Sequence, residues 1–325
     1  MGSLRRLSEN RPLIFFLALM SFTAIYQTRP IDRTLTDNIH ELAASFTIHD
    51  AGVLHNVDNC WEDEETDRLH TSGFQCRCPD PRTPAPKRNR TLFKDWSAHH
   101  RTLVQDARSA EGDVDVVFIG DSLTEKWRGS WQYGTEPSSA IGDIFDKFFK
   151  RENGAKLNGL ALGSSGDISS ETLWQLKHGL LSKNLNPKAF VLALGMNDLD
   201  RAQGAGCSKR NTLAGILTVV AFIRENRPDT PLIIHGLLPR ADPRSWGSAL
   251  GLQWKKSKWI NARLKEMCNK YDNLYFFDTT QVFMAGDNHL RSDFMEDDLH
   301  LSVQGYEQLT PEIARNIESV LKVKA

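Results

Sequence analysis

The chain has almost no charge imbalance, few cysteines and none of the common phosphate- or metal-binding signatures. Its 325 residues carry 40 Lys+Arg against 41 Asp+Glu, a formal net charge of -1. That balance provides no strongly basic face, so nucleic acid is not an expected partner. The 22 Gly and 13 Pro are near average use, which excludes a collagen-like or low-complexity chain. No internal repeat is found. A Gly-Lys-Ser/Thr phosphate loop, a His-Glu-x-x-His pair and paired Cys-x-x-Cys knuckles are all missing, and neither a cofactor nor a metal is expected. What is present in quantity is apolar side chain: 40% of residues are hydrophobic, enough for a large buried core.

The amino terminus has its own pattern. Arg5 and Arg6 precede an uncharged apolar run over 13–25. Basic residues before a short apolar run fit a cleaved secretory signal or a type II signal anchor. The run is short for a spanning helix, which needs roughly 20 apolar residues. Asn89-Arg90-Thr91 is a glycosylation acceptor triplet. The five cysteines are Cys60, Cys76, Cys78, Cys207 and Cys268. In an oxidising compartment some would pair, and the odd count leaves one over. A zinc site on the first three, with His70, is the rival reading, and the Cys-x-Cys spacing disfavours it.

The chain divides into three stretches: a terminal signal or anchor (1–26), a Cys- and Pro-containing stalk or linker (27–90), and a folded domain (91–325). Residues 79–86 are Pro-rich and cannot form a regular helix, so the linker is expected to be extended and exposed. Beyond it, apolar runs at 114–119, 189–194, 232–234 and 274–277 suit strands buried on both faces. Helical patterns cover 171–181, 213–224 and 256–268, and a last one covers 303–323 with a bend or restart near Pro311. Strands alternating with helices predict an α/β fold, a doubly wound parallel sheet with helices on both faces. Functional loops then lie beyond the carboxyl ends of the strands.

Four clusters carry reactive residue types. In Gly120-Asp121-Ser122, a serine directly after a strand can attack a carbonyl, while the helix start beyond it offers N–H donors. Alone, this triplet reads rather as a helix cap. Gly163-Ser164-Ser165-Gly166-Asp167 is a glycine loop whose backbone can approach a ligand. Asn197, in Gly195-Met196-Asn197-Asp198, offers an amide donor at a strand end, or is a turn asparagine. In Asp297-Asp298-Leu299-His300, His300 can serve as general base. Asp297, three residues before it, is the preferred orienter, and Asp298 competes. No Gly-x-Ser-x-Gly elbow supplies the serine. Trp127, Trp131 and Tyr133 follow the serine turn and can stack on a sugar, line an acyl pocket or pack beneath the loop.

Together, in the order Ser, Gly, Asn, Asp-His, these blocks resemble those of the SGNH hydrolases, also called the GDSL-type esterase/lipase superfamily. The resemblance runs over about residues 113–323. Gly236-Leu237-Leu238-Pro239-Arg240 and Asp297-Asp298-Leu299-His300-Leu301 with Gly305-Tyr306 look like the platelet-activating-factor acetylhydrolase catalytic-subunit branch. The resemblance implies a flavodoxin-like three-layer sandwich, with Ser122 as nucleophile, His300 as base and Asp297 as orienter. It also implies an oxyanion hole from the Ser122 N–H, the Gly166 N–H and the Asn197 side chain. The implied activity is hydrolysis of acyl esters, short-chain or acetyl, of a lipid or glycan. Acyl transfer to a glycan, and an idle membrane-tethered binding module, are the alternatives. Two departures stand out. Ala161 occupies a position where many relatives carry asparagine, and the N-terminal segment is foreign to the cytosolic acetylhydrolase pattern.

Overall fold

Near-continuous apolar runs make strands covered on both faces, and the computed structural model builds its central sheet from them. It describes residues 37–41, 60–62, 69–71, 80–87, 90–110, 112–199, 209–241, 250–286 and 289–323. The 13–25 run, Asn89, Cys76, Cys78 and Cys207 lie outside these residues. Among the described residues, no helix is long and apolar enough to cross a membrane. Cys268 is a buried free thiol, its pKa pushed up to about 12 by burial.

Five parallel strands form the sheet: β1 (Val116–Gly120), β2 (Gly159–Gly163), β3 (Ala189–Ala193), β4 (Leu232–His235) and β5 (Leu274–Phe277). Their spatial order is β2-β1-β3-β4-β5. Strand order therefore reverses between β1 and β3. In an open α/β sheet, the crevice beyond the carboxyl ends at such a reversal is where ligands bind.

Alternation along each strand feeds two cores. Val117, Ile119, Phe190, Leu192 and Ile234 face one side. There they meet α1 (Arg90–Ser109), α4 (Ser169–Gln175), α6 (Lys209–Asn226) and α7 (Leu252–Cys268) through Leu103, Leu173, Ile216 and Leu264. Val116, Phe118, Val191 and Ile233 face the other side, against α3 (Ser139–Phe149) and α8 (Val303–Val323). Phe118 packs its ring 4.8 Å from Phe149 and 5.1 Å from Trp127. Burial of one such side chain contributes about 1.5–3 kcal/mol. Two short helices, α2 (Ser122–Lys126) and α5 (Met196–Leu199), start just past β1 and β3.

Four features differ from expectation. The Gly163 segment is not only a loop, because its first part is the edge strand β2. Gly159–Gly163 has glycine at both ends and no β-branched residue, so it carries little strand signal. Neither α1 nor α3 is among the expected helices. The buried stripe of α1, Trp96, His99, His100, Leu103 and Ala107, is interrupted by two histidines that hydrogen bond inside the core. The last helix runs unbroken through Pro311. Buried Leu309, Ile313 and Ile317 hold it against a proline cost of about 3 kcal/mol. Finally, the 27–90 stretch is not exposed throughout. Residues 37–41 are helical and bury Ile39 in the first core. Residues 80–87 lie along the body as a strap, with Pro81 and Lys87 buried and the Ala85 N–H donating to the Ser170 carbonyl at 3.1 Å.

Candidate active site

The turn out of β1 admits only glycine at its end. A Cβ on Gly120 would sit 2.3 Å from Thr124 Oγ1 and 2.5 Å from the Ala193 carbonyl. Asp121 caps α2 by accepting from the Leu123 N–H at 3.1 Å, and Ser122 is the first residue of that helix. Gly163, at the end of β2, lets α2 lie directly on the sheet edge, since a Cβ there would be 2.2 Å from the Glu125 nitrogen. Tyr306 Oη–H on α8 donates to the Leu123 carbonyl at 2.8 Å. The helix that carries the serine is thus held from both sides.

His300 reaches this helix from a loop ahead of α8. The Met295–Leu301 bridge and the Glu296 N–H to His300 carbonyl bond, 2.8 Å, close the loop. Asp297 Oδ1 accepts the N–H groups of Leu299 at 2.7 Å and His300 at 2.6 Å. Its other oxygen is 2.8 Å from His300 Nδ1. Partial burial works against the Asp297 charge, but the His300 ring and these N–H donors outweigh it and hold the pKa well below the carboxylate range. A charged Asp297 accepts the hydrogen bond from Nδ1–H, which leaves Nε2 to accept from the Ser122 hydroxyl at 3.0 Å. Asp298, the competing orienter, gives its backbone carbonyl to the Ala241 N–H. Trp131 stands edge-on to His300, ring centres 5.2 Å apart, under the Lys126 ammonium at 4.4 Å. Lys126 in turn donates to Glu296 Oε2 at 2.5 Å, which ties α2 to the histidine loop. His235 is buried against Thr279 and its pKa is pushed down to about 4 by burial.

The Gly163–Asp167 segment is joined to the end of β1 by the Ser164 N–H, which donates to the Gly120 carbonyl at 3.1 Å. Gly166 has φ +69°, in the left-handed region that favours glycine. No backbone acceptor among the described residues takes the Ser122 or Gly166 N–H. Asn197 enters from the start of α5, but its amide is already occupied: Nδ2 donates to Asp121 Oδ2 at 3.2 Å and to the Asp167 carbonyl at 3.1 Å. An oxyanion contact from Asn197 therefore requires exchange of one of these bonds for substrate. Burial raises the Asp121 pKa to about 6.

Several residues of the site carry no motif. Glu125, three residues after the serine, is fully buried and accepts from the Ser165 N–H and hydroxyl, both at 2.6 Å, and from the Gly134 N–H at 3.0 Å. Its spacing on the helix was the only available signal. Asp167 accepts from Trp96 Nε1–H at 2.7 Å and from the Gln175 amide. Asp198 accepts from the Ser169 N–H at 3.1 Å, and burial lifts its pKa to about 7. Trp127 belongs to the core, with Nε1–H on Thr310 Oγ1 at 3.2 Å. Among the described residues, no group of three or more His, Cys, Asp or Glu is placed to hold a metal ion.

The arrangement invites comparison with known hydrolases. Residues 118–308, more than half of the chain, match the GDSL-like Lipase/Acylhydrolase family. The chain is 28% identical over 227 residues to human (Homo sapiens) platelet-activating factor acetylhydrolase IB subunit alpha2, covering 70% of this chain and 85% of that protein. It is 27% identical over 226 residues to the alpha1 subunit of Bos taurus, covering 70% and 82%. The crystal structure of a GDSL-like lipase from Bacteroides thetaiotaomicron shares the fold, with a TM-score of 0.51 at 22% identity over 70% of this chain and 97% of that one. The chain accordingly belongs to the GDSL-like lipase/acylhydrolase family and is a carboxylic ester hydrolase.

Proposed function

We propose that the chain cleaves short acyl esters, acetyl esters foremost, of a lipid or glycan through an acyl-enzyme on Ser122. The observation that carries this reading is the single line of hydrogen bonds from Ser122 Oγ through His300 to Asp297. His300 Nε2 takes the hydroxyl proton as Ser122 Oγ attacks the ester carbonyl. The charged Asp297 stabilises the imidazolium that forms. Negative charge on the tetrahedral oxygen is met by the Ser122 and Gly166 N–H groups, and by the Asn197 amide once it exchanges a partner. Collapse expels the alcohol, which takes the proton from His300. Water, deprotonated by the same ring, then releases the acid. The acetyl preference is supported by the similarity to proteins named acetylhydrolases. Arg5, Arg6 and the apolar 13–25 run support entry into the secretory pathway, with residues 91–325 as the hydrolase body.

The test is a panel of esters that varies acyl length and compares lipid with glycan leaving groups, run on the parent chain and on Ser122→Ala. Turnover is expected for the short acyl members and to vanish in the variant. Equal turnover by both chains removes Ser122 as nucleophile. Growth of acyl-glycan when a sugar acceptor is added identifies transfer instead of hydrolysis.

A further inference from the structure

The strap at 80–87 lies upstream of the family-matched residues 118–308, yet it ends inside the glycine loop. Lys87 is buried, and its ammonium has four oxygen neighbours there. It donates to the Gly166 carbonyl at 3.0 Å and to Glu171 Oε2 at 3.0 Å, and it lies 3.3 Å from Asp167 Oδ1 and 3.5 Å from the Ser165 carbonyl. The Tyr133 ring stands 5.8 Å away. Burial alone would discharge a lysine, but Asp167 and Glu171 outweigh it and hold the Lys87 pKa well above its ordinary value. The strap is itself fixed, because Ala85 pairs with Ser170 and a Cβ on Gly215 would come within 2.9 Å of Pro81 Cβ.

Two peptide planes flank the Gly166 α-carbon, and Lys87 touches the carbonyl of each. A trans peptide points its C=O and N–H in opposite directions. Drawing the Ser165 carbonyl toward the strap therefore turns the Gly166 N–H to the other side of the loop. From the other flank, Glu125 holds the Ser165 N–H at 2.6 Å. We propose that Lys87 is a positioning residue for ester hydrolysis, aiming the Gly166 N–H at the developing oxyanion by gripping the two carbonyls around it. This rests on the reading of Gly166 as an oxyanion donor. It also makes the reaction depend on a segment outside the family-matched region.

The test uses the full chain. Active sites are counted by labelling Ser122 to completion with a fluorophosphonate probe, and kcat for a short-chain aryl ester is expressed per labelled site. Lys87→Met is expected to lower kcat roughly 10–100-fold with KM little changed, the signature of a displaced donor. Lys87→Arg keeps the charge and is expected to recover part of the loss. If Lys87→Met does not fold, Lys87→Met/Glu171→Gln carries the same measurement, since it removes a carboxylate together with the ammonium. A kcat per labelled site within about twofold of the parent, or a loss confined to KM, overturns the inference. Failure of the unaltered chain to label at Ser122 overturns instead the hydrolase site on which it rests.

Discussion

Ser122 Oγ lies 3.0 Å from His300 Nε2, although 178 positions separate the two residues in the chain. One is fixed by a strand-to-helix turn and the other by a bridged loop, so the contact depends on both anchors. Ser122→Ala removes the oxygen and little else. Esterase activity is expected to fall roughly 10⁴-fold or more, with the thermal midpoint nearly unchanged. Turnover and a melting curve on the same preparation check both halves.

Asp297 and Asp298 are neighbours in sequence, but only Asp297 is bonded to the His300 ring. Asp297→Asn is expected to lower kcat roughly 10²–10⁴-fold, because an amide at that oxygen presents a donor to Nδ1 and disfavours the productive tautomer. Asp298→Asn is expected to leave kcat near the parent value. Equal effects of the two substitutions would reject the assignment of Asp297.

For Asn197→Ala, two consequences are separable. Loss of the proposed oxyanion donor is expected to lower kcat roughly 10²–10³-fold. Loss of the bonds to Asp121 and the Asp167 carbonyl leaves buried acceptors unpaired, at a stability cost of about 1–3 kcal/mol. Denaturant unfolding gives the second quantity. A drop in stability with unchanged kcat would make Asn197 a structural residue only.

Burial raises the pKa of Asp198 to about 7 and of Asp121 to about 6. A carboxyl whose folded pKa exceeds its unfolded one adds stability at low pH, and that contribution is lost as pH rises through the folded pKa. Here the loss falls between about pH 4 and pH 7. Asp198→Asn takes the ionisable group away and keeps an acceptor for the Ser169 N–H. Its stability relative to the parent is expected to rise from pH 4 to pH 8, by up to a few kcal/mol at about 1.4 kcal/mol per unit. Thermal midpoints of both chains at the two pH values decide it, and a difference between the chains that does not grow from pH 4 to pH 8 contradicts it.

Gly163→Ala tests the seat of the helix that carries Ser122. The added methyl meets backbone at 2.2 Å, so α2 must move. Loss of stability and a large fall in kcat are expected together, whereas Gly154→Ala, at a turn with open space around it, is expected to affect stability alone through its φ of +84°.

Much of the sheet was readable because β1, β3, β4 and β5 are apolar on both faces, which only a covered parallel sheet accommodates. The strand β2 was not, since Gly159–Gly163 has glycine at both ends and the composition of a turn. The strap failed for a different reason. Its prolines exclude a helix, and that is compatible with either an exposed linker or a segment laid on the body. Packing of Pro81 and Lys87 selects the second.

In the site, Ser122 and Asn197 are candidates by chemical type and position after strand ends, and Asp297 and His300 by type and spacing. Their partners are not. Lys87, Glu125 and Trp96 are ordinary in sequence, and they matter only because folding places them around Asp167, Ser165 and Gly166.

Local sequence decided four of the five sheet strands, the serine turn and the Asp-x-x-His loop, since each depends on neighbours a few residues away. Tertiary structure alone decided which aspartate serves His300, that the Asn197 amide starts out occupied, and that a lysine from the strap reaches the glycine loop. Those outcomes depend on distances between groups far apart in the chain, and such distances exist only after the sheet has closed its two cores.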